Sequence, residues 1–266
     1  MHADNDGAPL MLTPDVLSET LTTAMGTGAE FAEVFVEDRR SISVLFDDGR
    51  VEELTSGRDR GAGLRVVVGD TTGFAHTADL SPSGLRSAAE AAATAARGGG
   101  GGVRQVVLDK HTGPAPGPVE IMPGDVPKAR KVALLERADS AARGSDGAVT
   151  QVAVRYADSH RRIQVANSDG LLTGDRQVRT LFSVSCVASG DMGMQTGRES
   201  IGHTLGFEVF DEVDVEDLAR RAAGRALLKL EAVPAPSGEM PVVIGPGGGG
   251  VLFHEACGHG LEADLV

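Results

Sequence analysis

Near its C-terminal end the sequence sets two histidines and a glutamate within six residues, in the run His254-Glu255-Ala256-Cys257-Gly258-His259. Imidazole is a good ligand for zinc, which in catalytic sites takes three protein ligands and leaves one position for water. A carboxylate beside that water can accept its proton and pass it to a leaving amine. The run therefore offers two candidate zinc ligands, His254 and His259, and a candidate general base, Glu255. That is the chemistry of metal-assisted peptide hydrolysis. The spacing is not the His-Glu-x-x-His of the zincins, whose histidines stand four apart on one helical face. Five residues of regular α-helix rotate by roughly 500°, which leaves the two side chains about 140° apart. Convergence on one ion requires a π-type turn, or a helix that ends before His259. Gly258 and Gly260 flank the second histidine, and glycine tolerates either distortion.

The same residues have other readings. The two histidines also fit surface or capping positions, and Glu255 also fits a first-turn carboxylate favoured by a helix dipole. Cys257 is a rival third ligand. It stands only two residues before His259, which strains joint coordination, and a free cysteine is often a small buried hydrophobe. Glu262 and Asp264 either orient a ligand imidazole or are solvated. The glycines at 247–250 could cradle a phosphate at a helix N-terminus, but no Lys-Ser or Lys-Thr follows them and no βαβ unit surrounds them. Cys186 lies in an apolar strand pattern and reads as core. His2, His76, His111, His160 and His203 are scattered and share no ligand spacing.

These residues must be positioned by a chain of 266 residues, 41% hydrophobic and only 3% aromatic. That is enough for a core built from Val, Leu, Ile and Ala. A net charge of −13, with few aromatics, argues against a nucleic-acid surface, which needs clustered basic and stacking groups. Two cysteines make no disulfide framework. No apolar run approaches the roughly 20 residues of a membrane span, and residues 1–14 lack the pattern of a signal peptide. The expectation is a cytoplasmic protein.

Along the chain, Thr13-Pro14-Asp15 opens a helix. Strands are expected at 31–36, 41–46, 51–54, 63–68 and 72–75, with a hairpin at Asp48-Gly49, and a helix follows from Ser81 to Arg97. Glycines at 98–102 and the Pro/Gly-rich stretch 111–127 read as linkers. The pattern then resumes with a helix at 128–143, strands at 150–156, 162–166, 178–188 and 192–207, and a helix at 214–230. Arg39-Arg40…Asp48-Gly49 resembles Arg161-Arg162…Asp169-Gly170, at an offset of roughly 120 residues. Internal duplication of a strand-rich unit is one reading, and chance resemblance of two Asp-Gly hairpins is the other. After a break at 234–238, residues 241–245 read as a short strand, and the glycine break and resumed apolar spacing place a helix start between Gly248 and His254. The expected class is α+β: two strand-rich α/β domains, 1–100 and 115–233, and the beginning of a third at 238–266. A unit of about thirty residues is too short for its own core, so 238–266 is expected to be an incomplete domain.

The run Gly249-Gly250-Val251-Leu252-Phe253-His254-Glu255-Ala256-Cys257-Gly258-His259-Gly260-Leu261-Glu262 resembles the signature of the TldD/PmbA metallopeptidase family, in its TldD-like, motif-bearing branch. Arg60-Gly61-Ala62-Gly63-Leu64-Arg65-Val66 resembles the family's first domain. The resemblance implies a zinc-dependent peptidase acting on peptides or unfolded segments, with His254 and His259 as ligands and Glu255 as base. It further implies pairing with a TldE (PmbA) subunit that lacks the motif. The family's third ligand is a cysteine far downstream, to which no residue here corresponds. The alternative function is a non-catalytic binding or assembly fragment that pairs with such a partner.

Overall fold

A computed structural model of the chain describes residues 10–26, 28–96, 105–111, 117–191, 193–263 and 265. The chain forms two compact units, residues 1–231 and 232–266. In the first, the order is α1 (Pro14–Met25), β1 (Phe31–Asp47), β2 (Arg50–Val68), β3 (Thr71–Thr77), α2 (Pro82–Ala95), β4 (Asp109–Lys110), α3 (Lys128–Arg143), β5 (Val149–Asn167), β6 (Leu171–Gly190), β7 (Gly193–His203), α4 (Val209–Glu212) and α5 (Val215–Leu230). The elements begin where local chemistry starts them. Pro14 and Pro82 occupy first-turn positions, where a missing N–H costs nothing. Ser81 accepts from the Gly84 amide, and Asp214 accepts from the Glu216 and Asp217 amides. At Asp48-Gly49 both residues take positive φ, 50° and 74°, as a two-residue turn of type I′ demands.

Among the described residues all seven strands belong to one sheet, in the order β3-β2-β1-β5-β6-β4, with β7 also on β6. β1 and β5 lie antiparallel at its centre, paired from Glu33↔Asn167 to Asp47↔Ala153. The strand pairs expected at 31–36 and 41–46, at 51–54 and 63–68, and at 150–156 and 162–166 are instead single long strands, β1, β2 and β5. The strand expected at 192–207 ends at His203. Backbone pairing runs on through the polar middles of β1, β2 and β5, where hydrophobic alternation lapses.

That lapse has a structural cause. Alternate side chains of each strand face a layer of helices that is split into two cores. One gathers α1 and α2 with Val34, Val36, Leu64, Val66, Ala166 and Leu172. The other gathers α3 and α5 with Val44, Phe46, Val154, Tyr156, Phe182 and Val184. β1 and β5 each contribute one end to each core, and the polar stretch between them crosses a gap that, among the described residues, neither helix pair covers.

Apart from the short β4 and α4, the first unit repeats α-β-β-β-α twice, and the first strands of the two repeats pair with each other at mid-sheet. The repeats share a further detail. A Cβ added to Gly73 in β3 would lie 2.0 Å from the Ala92 carbonyl oxygen and 2.4 Å from the Ala96 nitrogen of the helix behind it. At Gly197 in β7 the same distances, to Ala222 O and Ala226 N, are 2.0 and 2.5 Å. Each glycine thus admits one helix backbone onto its third strand, and this correspondence favours duplication over chance. Gly73→Ala and Gly197→Ala should each destabilise by about 2–3 kcal/mol, the cost of forcing atoms into a filled core. Chemical denaturation reads that cost, and a loss below about 0.5 kcal/mol would show that helix and strand separate freely.

Candidate metal centre

The second unit carries α6 (Gly248–Phe253), reached through Gly247 at φ 87°. The stretch expected as a strand at 241–245 forms none: Val242 and Val243 are exposed, and no neighbouring strand supplies ladder hydrogen bonds among the described residues. A short apolar run has no strand identity without a partner, and here Ile244 turns back instead to touch Gly249. The helix then starts at Gly248, within the interval that the glycine break and resumed apolar spacing mark out.

At His254 the helix changes pitch. Residues His254–Gly258 form a π-turn, and the His259 amide donates to the His254 carbonyl five residues back. One 3-10 turn, His259–Leu261, closes the element. The wider turn overcomes the angular mismatch of a five-residue spacing in an α-helix. The two imidazole centroids lie 4.5 Å apart at 74°. One ligand atom from each of His254, Glu255 and His259 lies within 4.8 Å of the others, and Glu255 Oε2 is 3.6 Å from His259 Nε2.

Glu262 hydrogen-bonds His259 Nδ1. A carboxylate there fixes the ring's orientation and leaves Nε2 as the ligating nitrogen. All three side chains of the cluster are exposed. Cys257 is exposed and reduced, and among the described residues its sulfur is not part of the cluster. Asp264 lies outside the described residues. Cys186 is fully buried in β6, and burial pushes its thiol up to about 11, so it is inert core. The donor set, two imidazoles and a carboxylate, suits zinc. It also leaves the shell one protein ligand short if the carboxylate serves as base.

Residues 32–96 match the family model described as PmbA/TldA metallopeptidase domain 1, and residues 121–230 match the PmbA/TldA metallopeptidase central domain. A protein named metalloprotease from Methanothermobacter thermautotrophicus is 36% identical over 239 residues, covering 89% of this chain and 51% of the relative. A metalloprotease TldD homolog from Haemophilus influenzae is 31% identical over 272 residues, covering 98% and 56%. The chain thus spans about half the length of these relatives. Among solved structures, one from Thermotoga maritima described as a modulator of a DNA gyrase aligns with a TM-score of 0.66 at 18% identity over 84% of this chain and half of its own. TldE from Thermococcus kodakarensis aligns at 0.60 and 16%, over 80% and 47%. At such identities the structures establish the fold alone.

Two similar α-β-β-β-α stretches on one sheet precede, in the sequence, a short helix that leads into His-Glu-x-x-x-His. The chain belongs to the TldD/PmbA metallopeptidase family. No helix among the described residues is long and apolar enough to cross a membrane.

Proposed function

We propose that this chain supplies two zinc ligands and the general base of a cytoplasmic metallopeptidase subunit that hydrolyses peptides or unfolded polypeptide segments. The observation that carries this reading is the π-turn, which brings together side chains that an α-helix would hold apart. His254 and His259 would hold the metal through ring nitrogens, with Glu262 steadying His259. Zinc, when held, supplies Lewis acidity toward the scissile carbonyl and makes water a better nucleophile at neutral pH. Glu255 takes the proton of the attacking water and returns it to the leaving amine. The family resemblance assigns the third ligand to a cysteine of the C-terminal domain, and it assigns as partner a TldE/PmbA-like subunit without the motif. The TldE likeness supports the fold side of that pairing.

Two imidazoles leave the coordination shell below the three protein ligands of a catalytic site. Equilibrium dialysis of this chain against zinc should therefore show much weaker retention than dialysis of a protein of the relatives' full length. Tight one-to-one zinc that survives a chelator wash, and that Cys257→Ser abolishes, would make the internal thiol a ligand and overturn this ligand set.

A further inference from the structure

The gap between the two helix pairs is lined by cations. On the helix-bearing face, adjacent strands set Arg60, Asp38, Arg162 and Arg176 side by side in one row, and Arg58, Arg40, His160 and Val178 in the next. Neighbouring strands stand about 4.8 Å apart, and like charges directly opposite each other destabilise a sheet. In these rows Arg58 faces Arg40 and Arg162 faces Arg176. Asp38 accepts from Arg58 Nε and Nη2 at 2.8 and 2.6 Å. The next acid along β5, Asp158, is taken by Lys131. Among the described residues Arg40, Arg60 and Arg176 have no ion pair, and His160 Nε2 is buried without a hydrogen-bond partner. The opposite face of the same strands differs, for there Arg161 pairs with Glu37 and Arg65 with Glu33. A chain of net charge −13 thus gathers arginines at one place, and Arg40, Arg60 and Arg176 among them have no ion pair among the described residues.

We propose that this gap is a binding site for a compact oxyanion, a phosphate group or clustered carboxylates, held by Arg40, Arg60 and Arg176 with His160 as a further donor. The site lies wholly in the first unit and is independent of the metal reading. Guanidinium groups give paired, charge-assisted hydrogen bonds to such ligands. Burial, then Arg176, Arg162 and Arg40, hold the imidazole of His160 below its ordinary range, with Asp38 opposing them. A bound oxyanion offsets the arginine charge, so His160 takes up a proton on binding and affinity rises as pH falls.

The test is a titration of the chain with inorganic phosphate and, separately, citrate, read by calorimetry and by the His160 imidazole NMR signal, assigned with His160→Gln. Saturable binding that shifts this signal toward the protonated form is expected. Tighter phosphate or tighter citrate names the source of the oxyanion. Arg40→Gln and Arg176→Gln should each weaken binding at least about tenfold, the loss of one charged hydrogen bond, while Arg65→Gln on the opposite face leaves it unchanged. No saturable binding of either anion, or no movement of the His160 signal in the unmodified chain, overturns the proposal. Binding that survives both arginine substitutions overturns it as well.

Discussion

Glu255→Gln, in a zinc-loaded protein of full family length assembled with its partner subunit, is expected to keep about one zinc per subunit and to lose at least about a hundredfold in peptide hydrolysis. Glutamine keeps the shape and hydrogen bonding of the side chain but cannot take a proton from water. The hundredfold is the low end of what a positioned base contributes. His254→Ala should instead lose metal and activity together, because an imidazole removed from a two-histidine pair leaves too few ligands. The two variants separate the roles: one uncouples metal from turnover, and the other cannot. Unmodified hydrolysis by Glu255→Gln in a zinc-replete complex would remove Glu255 as the base.

The second large effect lies in the core beneath α3. Lys131 Nζ donates to Asp158 Oδ2 at 2.6 Å, and the Tyr156 hydroxyl donates to the same oxygen at 2.7 Å. The Lys131 and Asp158 side chains are 3% and 8% exposed, and Tyr156 is fully buried between β1 and β6. Burial, and then the Asp158 carboxylate, hold the tyrosine protonated far into the alkaline range, so it stays a donor. Lys131→Met keeps an aliphatic stem of similar length and removes the ammonium, which lies 5.1 Å from the Tyr156 ring centroid. It leaves the carboxylate without its counter-charge in a dry site, which should cost about 3–5 kcal/mol. Adding Asp158→Asn should recover most of that loss, since the penalty belongs to the unpaired charge and not to the missing pair. Urea denaturation of the four members of this cycle measures both terms. A loss under about 1 kcal/mol for Lys131→Met would mean that water reaches Asp158 and the pair behaves as a surface one.

The sequence was most legible where local chemistry decides structure. Pro82 after Ser81, the helix at 128–143 and the Asp48-Gly49 turn each state their own boundaries, because caps, prolines and positive φ act within four residues. The π-turn was legible for a different reason. Two ligands five apart can meet only if the helix widens, so the chemistry required the distortion and the glycines permitted it. Strand lengths were not legible. Residues 38–40 and 158–162 break the apolar alternation, and alternation reports which side chains are covered, not which backbones are paired. Residues 241–245 failed in the opposite sense: apolar and β-branched, but with no strand beside them. The cationic gap was invisible for the same physical reason. His160 and Arg40 stand about 120 residues apart, and only the β1–β5 register makes them neighbours.

The central claim is that His254 and His259 ligate one zinc ion. Zinc K-edge X-ray absorption on the full-length, zinc-loaded protein tests it directly. Two imidazole nitrogens in the first shell are predicted, at about 2.0–2.1 Å, with one of them and most of the bound zinc lost in either His254→Ala or His259→Ala. A first shell without imidazole, or one that both substitutions leave unchanged, would contradict the account.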